Sequence, residues 1–512
     1  MTVCAVETHL GNDMVVARKR ALNLVQLRST RMFYLIVQVV NCMFLFLMLQ
    51  DEGAVPLVVS GVINTIMIAS LLRQELKRVQ VYMSPFAVYL CAGVFRLGLS
   101  SIWLGAALFF NHQELRTLGI FEIDNVVEGL FLLQVGDLIF NVGYFWGDRL
   151  WLKEARSESV KASKYLLEKA ILLYAIGWGI RVSSFYISSL FGATILFNIL
   201  SSSIPMLASF FLLEYASSNS SERRNRIVSW LFFGVMTGLD LVLALQSYMK
   251  SGAALAIFPL VAFVISRAGR SEIKVDSSLI RNGFVLATCI LFLGLFVFPF
   301  WQLRRESYDF KTSTYSLTID ECVARSIAAA VPGSREFNEC HAFPSGGAWG
   351  LLHRHCNTVS ASWSFDFVAQ NGTLKGKMLT EAFPALVPRV LWEGKPQYSP
   401  AAYVSVLMGL ASSVDSATTA TDAGGMAGGL YLDLGWIGLV LGMAINGLIL
   451  AKITYLLQNH VRSNLFAGIG WVILYAACAT HFESSMDGNV TLWGMLLVVV
   501  LFPFYIYNRT SS

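Results

Sequence analysis

The sequence predicts an all-α polytopic membrane protein with about twelve transmembrane helices, both termini cytoplasmic, and one large extracytoplasmic loop folded into a cap. Three observations predict it. Only 14% of the 512 residues are charged and 55% are hydrophobic, whereas soluble domains carry about 25% charged residues. Apolar runs of near twenty residues recur along the chain, the length that crosses about 30 Å of hydrocarbon. Lys and Arg gather in alternate loops, the asymmetry that sets membrane orientation. The net charge of +5 is spread over many short loops rather than gathered in one basic stripe, which excludes a nucleic-acid-binding class.

Residues 1–30 are polar and basic. Arg18, Lys19, Arg20, Arg28 and Arg31 stand at the start of the first apolar run. They are expected to anchor a cytoplasmic segment, since no small-residue cleavage site marks a secretory signal. Nine runs follow within 31–302, near 32–50, 54–72, 84–110, 126–146, 166–188, 191–215, 227–247, 252–266 and 283–301. Three more lie within 429–508, near 429–457, 465–481 and 491–507, and 509–512 end the chain. Charge tests the count. The loops 73–82, 147–165, 217–226, 267–282 and 458–464 hold most of the loop cations, whereas 51–53, 111–125, 248–251 and 482–490 hold only Arg116 and Lys250. That alternation holds at every turn only if no span is missed or added.

Residues 303–428 form one long polar segment on the outer side. A structureless loop of that length is improbable, so a small, partly helical cap resting on the membrane domain is expected. It carries Cys322, Cys340 and Cys356. Two of the three can form a disulfide in an oxidising compartment, leaving one thiol over. No Cys-x-x-Cys spacing is present, and neither a metal nor another cofactor is expected.

The loop ends in FPALVPRVLWEGKPQYSP (383–400), where Pro388 and Pro396 bracket Arg389, Trp392 and Lys395. Prolines hold a segment extended. Two cations beside a ring suit a phosphate or pyrophosphate at headgroup level with a sugar on the ring. The plainer reading is two snorkelling cations with Trp392 in the interfacial belt. Next comes DAGGMAGGLYLDLGWIGLVLGM (422–443), whose glycines allow close backbone approach, either around an exposed helix N-terminus or in simple helix packing. Lys250, followed by Ser251 and Gly252, is a lone cation at an outer span end, so it either meets an anionic ligand or snorkels. Arg96, Asp137, Arg181 and Asp240 fall inside spans. Such charges either pair with one another, a structural role, or an Arg faces an outward cavity and meets phosphate. His353 and His355 share a face only if their segment is extended. With Glu483 in the loop before the last span they are candidate bases near neutral pH.

Two of these elements carry a family resemblance. VPRVLWEGKP resembles the Pro-Arg-x-x-Trp-x-x-Lys-Pro element of Wzy-type, or O-antigen, repeat-unit polymerases. GGLYLDLGWIGLVLGM, with Tyr431, resembles the Tyr-x-x-x-Gly-Trp-x-Gly span that follows it there. Lys250-Ser251-Gly252 sits where members of that family have a Ser-Arg-Gly or Ser-Lys-Gly element. The two strong elements cover 383–443, and the shared layout covers most of the chain. The resemblance implies a fold similar to the GT-C-like lipid-linked glycan polymerases. It implies a glycosyltransferase in a bacterial inner membrane, active at the outer face, that joins undecaprenyl-pyrophosphate-linked repeat units into O-antigen, capsule or exopolysaccharide. Its partners would be the lipid-linked donor and acceptor, the bilayer, a chain-length regulator and a flippase. Arg389 and Lys395 would then hold the donor pyrophosphate, with Trp392 and Tyr431 at the substrate. Lys250, Arg304 and Arg305 would be further contacts, and His353, His355 or Glu483 the base. The alternatives are another lipid-linked glycan transferase such as an O-antigen ligase, a multi-span transporter, or a non-catalytic assembly subunit. A transporter tends to show two related halves, and no such symmetry is visible here.

Overall fold

A computed structural model of the chain describes residues 3–50, 53–78, 83–110, 112–118, 121–151, 166–191, 194–217, 223–246, 258–264, 299–300, 303, 307–309, 314–331, 334–336, 356–385, 392, 400–413, 423–461, 463–480, 493–494 and 496–511. Apart from two antiparallel pairings of two residues each, at 117–122 and 308–315, the regular structure described is helical. Among the described residues, five helices are long and apolar enough to cross a membrane, as expected of a helical membrane protein. They coincide with five of the runs read from the sequence: Val25–Leu47, Ala54–Leu76, Pro85–Phe109, Val126–Trp151 and Gly425–Gln458.

The first of these belongs to α1 (Val3–Leu47), and α2 is Ala54–Arg78. The third is built from α3 (Pro85–Gly93), a π-helical turn at Val94–Leu99, and α4 (Ser100–Phe109). Ser84 caps α3 by accepting the Ala87 N–H at 3.1 Å, and Pro85 occupies the first turn, where its missing N–H costs nothing. The π turn packs closely on α2. A Cβ on Gly61 would sit 2.8 Å from the Gly98 carbonyl oxygen, so only glycine fits. Then follow α5 (Val126–Trp151), α6 (Leu166–Phe191), α7 (Thr194–Ser217) and α8 (Arg223–Gln246).

Among the described residues of 303–428 the chain forms four shorter helices: α9 (Ile319–Ala329), α10 (Thr358–Asn371), α11 (Lys377–Ala385) and α12 (Pro400–Leu407). Of these, α10 lies on α5. The Gly129 N–H donates to Ser362 Oγ at 2.9 Å, and a Cβ on Gly129 would collide with the Thr358 carbonyl. Cys322 and Cys356 are not bonded to each other, and Cys340 lies outside the described residues. The chain closes with α13 (Gly425–Gln458), α14 (Leu465–Thr480), a π turn at Leu496–Leu501 and α15 (Phe502–Ser511).

Helix α13 departs from the single span expected over 429–457. Gly435 has φ 66° and ψ −152°, a region essentially confined to glycine. Beyond it the chain folds back. A Cβ on Gly442 would lie 2.6 Å from the Leu430 side chain, and one on Gly438 would lie 2.6 Å from the Leu430 carbonyl oxygen. Twelve residues of straight helix would separate positions 430 and 442 by about 18 Å. Residues 425–434 and 436–458 are therefore the two arms of a helical hairpin. The longer arm, about 34 Å at the α-helical rise, packs along α5. Gly143 meets the Ala444 backbone, Gly147 meets the Ala451 methyl, and Gly447 meets the Phe140 carbonyl.

The four helical segments α1, α2, α3–α4 and α5 enclose a buried polar column. On α1 its residues are Arg31, Tyr34, Gln38 and Asn41, spaced three or four apart so that they share one face. At one end Arg31 donates to Glu75 and to Asp148, each at 2.5 Å. In the middle Asp137 accepts from Tyr89 at 2.7 Å, Tyr34 at 3.1 Å, Asn141 at 2.8 Å and Arg96 at 3.3 Å. Beyond it Asn64 donates to Gln134 at 2.8 Å and to the Leu97 carbonyl of the π turn at 3.3 Å, and Asn41 donates to Ser60 at 3.0 Å. Pairing is thus the role found for the span charges. Arg181 likewise donates to Asp240 at 2.7 Å, joining α6 to α8.

Candidate functional site

The tip of the α13 hairpin and the short helices α10 and α11 meet at the end of the bundle where α5 begins. The aromatic run of the hairpin assembles there for a local reason. The reversal at Gly435 brings Tyr431 and Trp436, five positions apart, to a ring separation of 5.1 Å. Phe365 of α10 stacks on Tyr431 at 5.6 Å and meets Trp436 edge-on at 6.4 Å. Phe131 of α5 adds an edge contact to Trp436 at 6.0 Å. Tyr431 is buried, whereas Trp436 is 42% exposed, so the cluster presents an open ring.

Two carboxyl groups stand beside it. Glu128, in the first turn of α5, shares a hydrogen bond with Asp366 of α10. Desolvation raises the Asp366 carboxyl above the ordinary carboxylate range, the Glu128 bond opposes the rise, and the nearby Asp124 charge adds to it. Glu128 is also within electrostatic reach of Tyr431. A carboxyl pair beside a partly exposed ring can take a proton from a hydroxyl group held against that ring.

The hairpin tip also seats the start of α11. Its first arm ends with two carbonyls that have no helical successor. The Leu432 oxygen accepts the Leu374 N–H at 3.0 Å, and the Asp433 oxygen accepts the Gly376 N–H at 3.2 Å. The Asp433 side chain, wholly buried, accepts the N–H groups of Met378 and Leu379, each at 2.9 Å. Lys377 then lies 4.3 Å over the ring of Tyr403 on α12.

On the flank of the bundle an apolar groove of about 560 Å³ runs between α1, α5 and the long arm of α13. Val40, Val142, Trp146 and Val440 are among its walls, and each of these is 40% exposed or more.

Two of the residues read from the sequence as site candidates are described. Tyr431 stands buried in the aromatic cluster, within electrostatic reach of Glu128. Trp392 is 40% exposed. Lys250, Arg304, Arg305, His353, His355, Arg389, Lys395 and Glu483 lie outside the described residues. Reading the sequence placed Trp436 in a motif but missed Glu128, Asp366 and Asp433. The available signal was an acid inside an apolar run, Asp433 in LYLDLGW and Glu128 in VVEGLF, which in a membrane span is costly and therefore meaningful. No family model, curated protein or solved structure matches this chain.

Proposed function

We propose that this protein is a lipid-linked repeat-unit polymerase. It would be a bacterial inner-membrane glycosyltransferase of about twelve spans that lengthens a cell-surface polysaccharide at the outer face. One observation supports this best. The segment resembling the Tyr-x-x-x-Gly-Trp-x-Gly element is the tip of a helical hairpin, and its two aromatic residues stand beside the neighbouring carboxyl groups of Glu128 and Asp366. Aromatic rings favour sugar faces, and carboxyl groups hold and deprotonate sugar hydroxyls. The apolar groove, lined almost wholly by apolar side chains, suits a polyprenyl chain.

In this reading the acceptor hydroxyl oxygen attacks the anomeric carbon of the donor sugar. The bond from that carbon to the pyrophosphate oxygen breaks, and the diphosphate leaves with the electron pair. Arg389 and Lys395 neutralise it, a task for groups that stay protonated. The hydroxyl proton passes to the Glu128–Asp366 pair, or to His353, His355 or Glu483. Broken helices at a binding site are also a property of secondary transporters, a reading that predicts intact polymer chemistry without Arg389.

Replacing Arg389 decides between them. Arg389→Ala is expected to abolish polymer while the protein still inserts, and Arg389→Lys is expected to fail too, because the planar two-pronged donor is lost. Polymer of ordinary length in the Arg389→Ala strain would overturn the proposal.

A further inference from the structure

We infer that the exposed indole of Trp436 is the platform on which a pyranose unit of the substrate rests, and that it takes a sugar with one face free of axial hydroxyl groups. That the ligand is a substrate sugar rests on the polymerase reading; the setting of the ring rests on the structure. Trp436 is the first residue after the reversal at Gly435, so the hairpin tip fixes its backbone. The tip in turn is tied to α11 and to the chain before it. The Leu432 and Asp433 carbonyls accept the Leu374 and Gly376 N–H groups, and the Asp433 carboxylate accepts those of Met378 and Leu379.

Three rings then set the side chain. Tyr431, Phe131 and Phe365 stand 5.1, 6.0 and 6.4 Å from the indole, at interplanar angles of 71°, 64° and 79°. They come from the other arm of the hairpin, from α5 and from α10, and none lies parallel to the indole. A side chain already held in this way loses little further freedom when a ligand settles on it. Yet Trp436 is 42% exposed, whereas Tyr431 is 5% exposed. Of the two aromatic residues at the tip, Trp436 is therefore the one a ligand can reach.

An aromatic face is negative and its edge positive. The C–H groups along a bare pyranose face carry slight positive charge and fit that face. An axial hydroxyl group would put an oxygen there instead and hold the sugar off. Two of the supporting rings also bring a carboxyl group with them. Glu128 precedes Phe131 by three positions and so shares its side of α5, and Asp366 follows Phe365. Carboxylates accept sugar hydroxyl groups, so a flat apolar face and acceptors for its rim occur together. Val440, one turn on from Trp436, is a wall of the apolar groove. The platform thus adjoins the proposed seat of the lipid chain.

The test uses the full-length protein in lipid nanodiscs and two probes. The first is methyl β-D-glucopyranoside, which has no axial hydroxyl group. Saturation-transfer NMR compares it with methyl β-D-altropyranoside, which has one on each face. The wild type is expected to pass saturation to the C–H protons of one glucoside face, and far less to the altroside. Trp436→Ala is expected to lower the glucoside signal up to about tenfold, the scale of one aromatic contact. Trp436→Leu keeps apolar bulk without a flat face and is expected to lose as much, whereas Trp436→Phe keeps part of the signal. Ile437→Ala removes a more exposed apolar side chain at the same tip and is expected to change nothing. The second probe is the lipid-linked repeat unit extracted from cells lacking this protein. Trp436→Ala and Trp436→Leu are expected to raise its half-saturating concentration up to about tenfold, with maximal turnover much less affected. Equal signals from the two glycosides, no glucoside signal in the wild type, or an undiminished signal in Trp436→Ala would overturn the inference. Sugar binding that depends on Trp436, without any extension of the lipid-linked unit, would mean that the polymerase reading has failed and not the platform.

Discussion

At the scale of single residues, Asp366 shows how a local environment becomes a measurable pH response. Its carboxyl is raised in the folded protein, chiefly by desolvation. The folded state therefore holds the proton more tightly than the unfolded chain, whose Asp titrates near about 3.9. The contribution to stability is complete below that value and is lost as pH rises through the raised one. Thermal unfolding of the wild type in detergent should thus show stability falling from about pH 4 upward. In Asp366→Asn nothing titrates at that position, and Glu128 keeps a hydrogen-bonding neighbour. The fall should flatten, and the variant should gain on the wild type towards neutral pH. Parallel curves for the two proteins across that window would refute the assignment. None of this was legible in the sequence. Asp366 lies in SWSFDFVAQ, an ordinary amphipathic stretch, and Glu128 comes to it only through the crossing of α10 over α5.

Among elements, the seam between α5 and the long arm of α13 carries the architecture. The sequence reading recognised small residues permitting close approach in 424–442, and the apolar runs placed both helices within a few residues. What it missed is the reversal at Gly435, because hydropathy over 429–457 is continuous and a single residue's φ and ψ leave no trace in it. The glycines then have different meanings by position. Gly447 faces the Phe140 carbonyl and the Tyr144 N–H of α5, so a methyl group there forces the helices apart. Gly447→Ala is expected to destabilise by about 1–3 kcal/mol, the cost of overpacking. Gly234 of α8 has no atom within 4 Å of an added Cβ. Gly234→Ala is expected to stabilise by up to about 1 kcal/mol through helix propensity. Equilibrium unfolding of both variants checks the contrast, and the same sign for both would show that the seam is not close-packed.

For the molecule as a whole, the buried column explains why four separate helical segments assemble in one arrangement. Asp137 accepts from α1 through Tyr34, from α3 through Tyr89, from the π turn through Arg96, and from its own helix through Asn141. No pair of these helices supplies all four donors, so the correct bundle is the one that brings them to the Asp137 carboxylate at once. The sequence flagged Arg96 and Asp137 because charge is rare in a span. The tyrosines and amides stayed hidden, since one polar residue per turn is common in membrane helices. An ion pair in such a place specifies structure more than it stabilises it. Losing one member leaves a charge without its counter-charge, at a cost of about 3–5 kcal/mol, whereas removing both charges relieves most of that cost. Asp137→Asn and Arg96→Met should each lower the unfolding free energy in detergent by that amount. The double variant Arg96→Met/Asp137→Asn keeps an amide oxygen for the two phenols and buries no charge at the pair, so it should be more stable than either single variant. Simple addition of the two losses would mean that Arg96 and Asp137 act independently, and that the bundle is held by apolar packing alone.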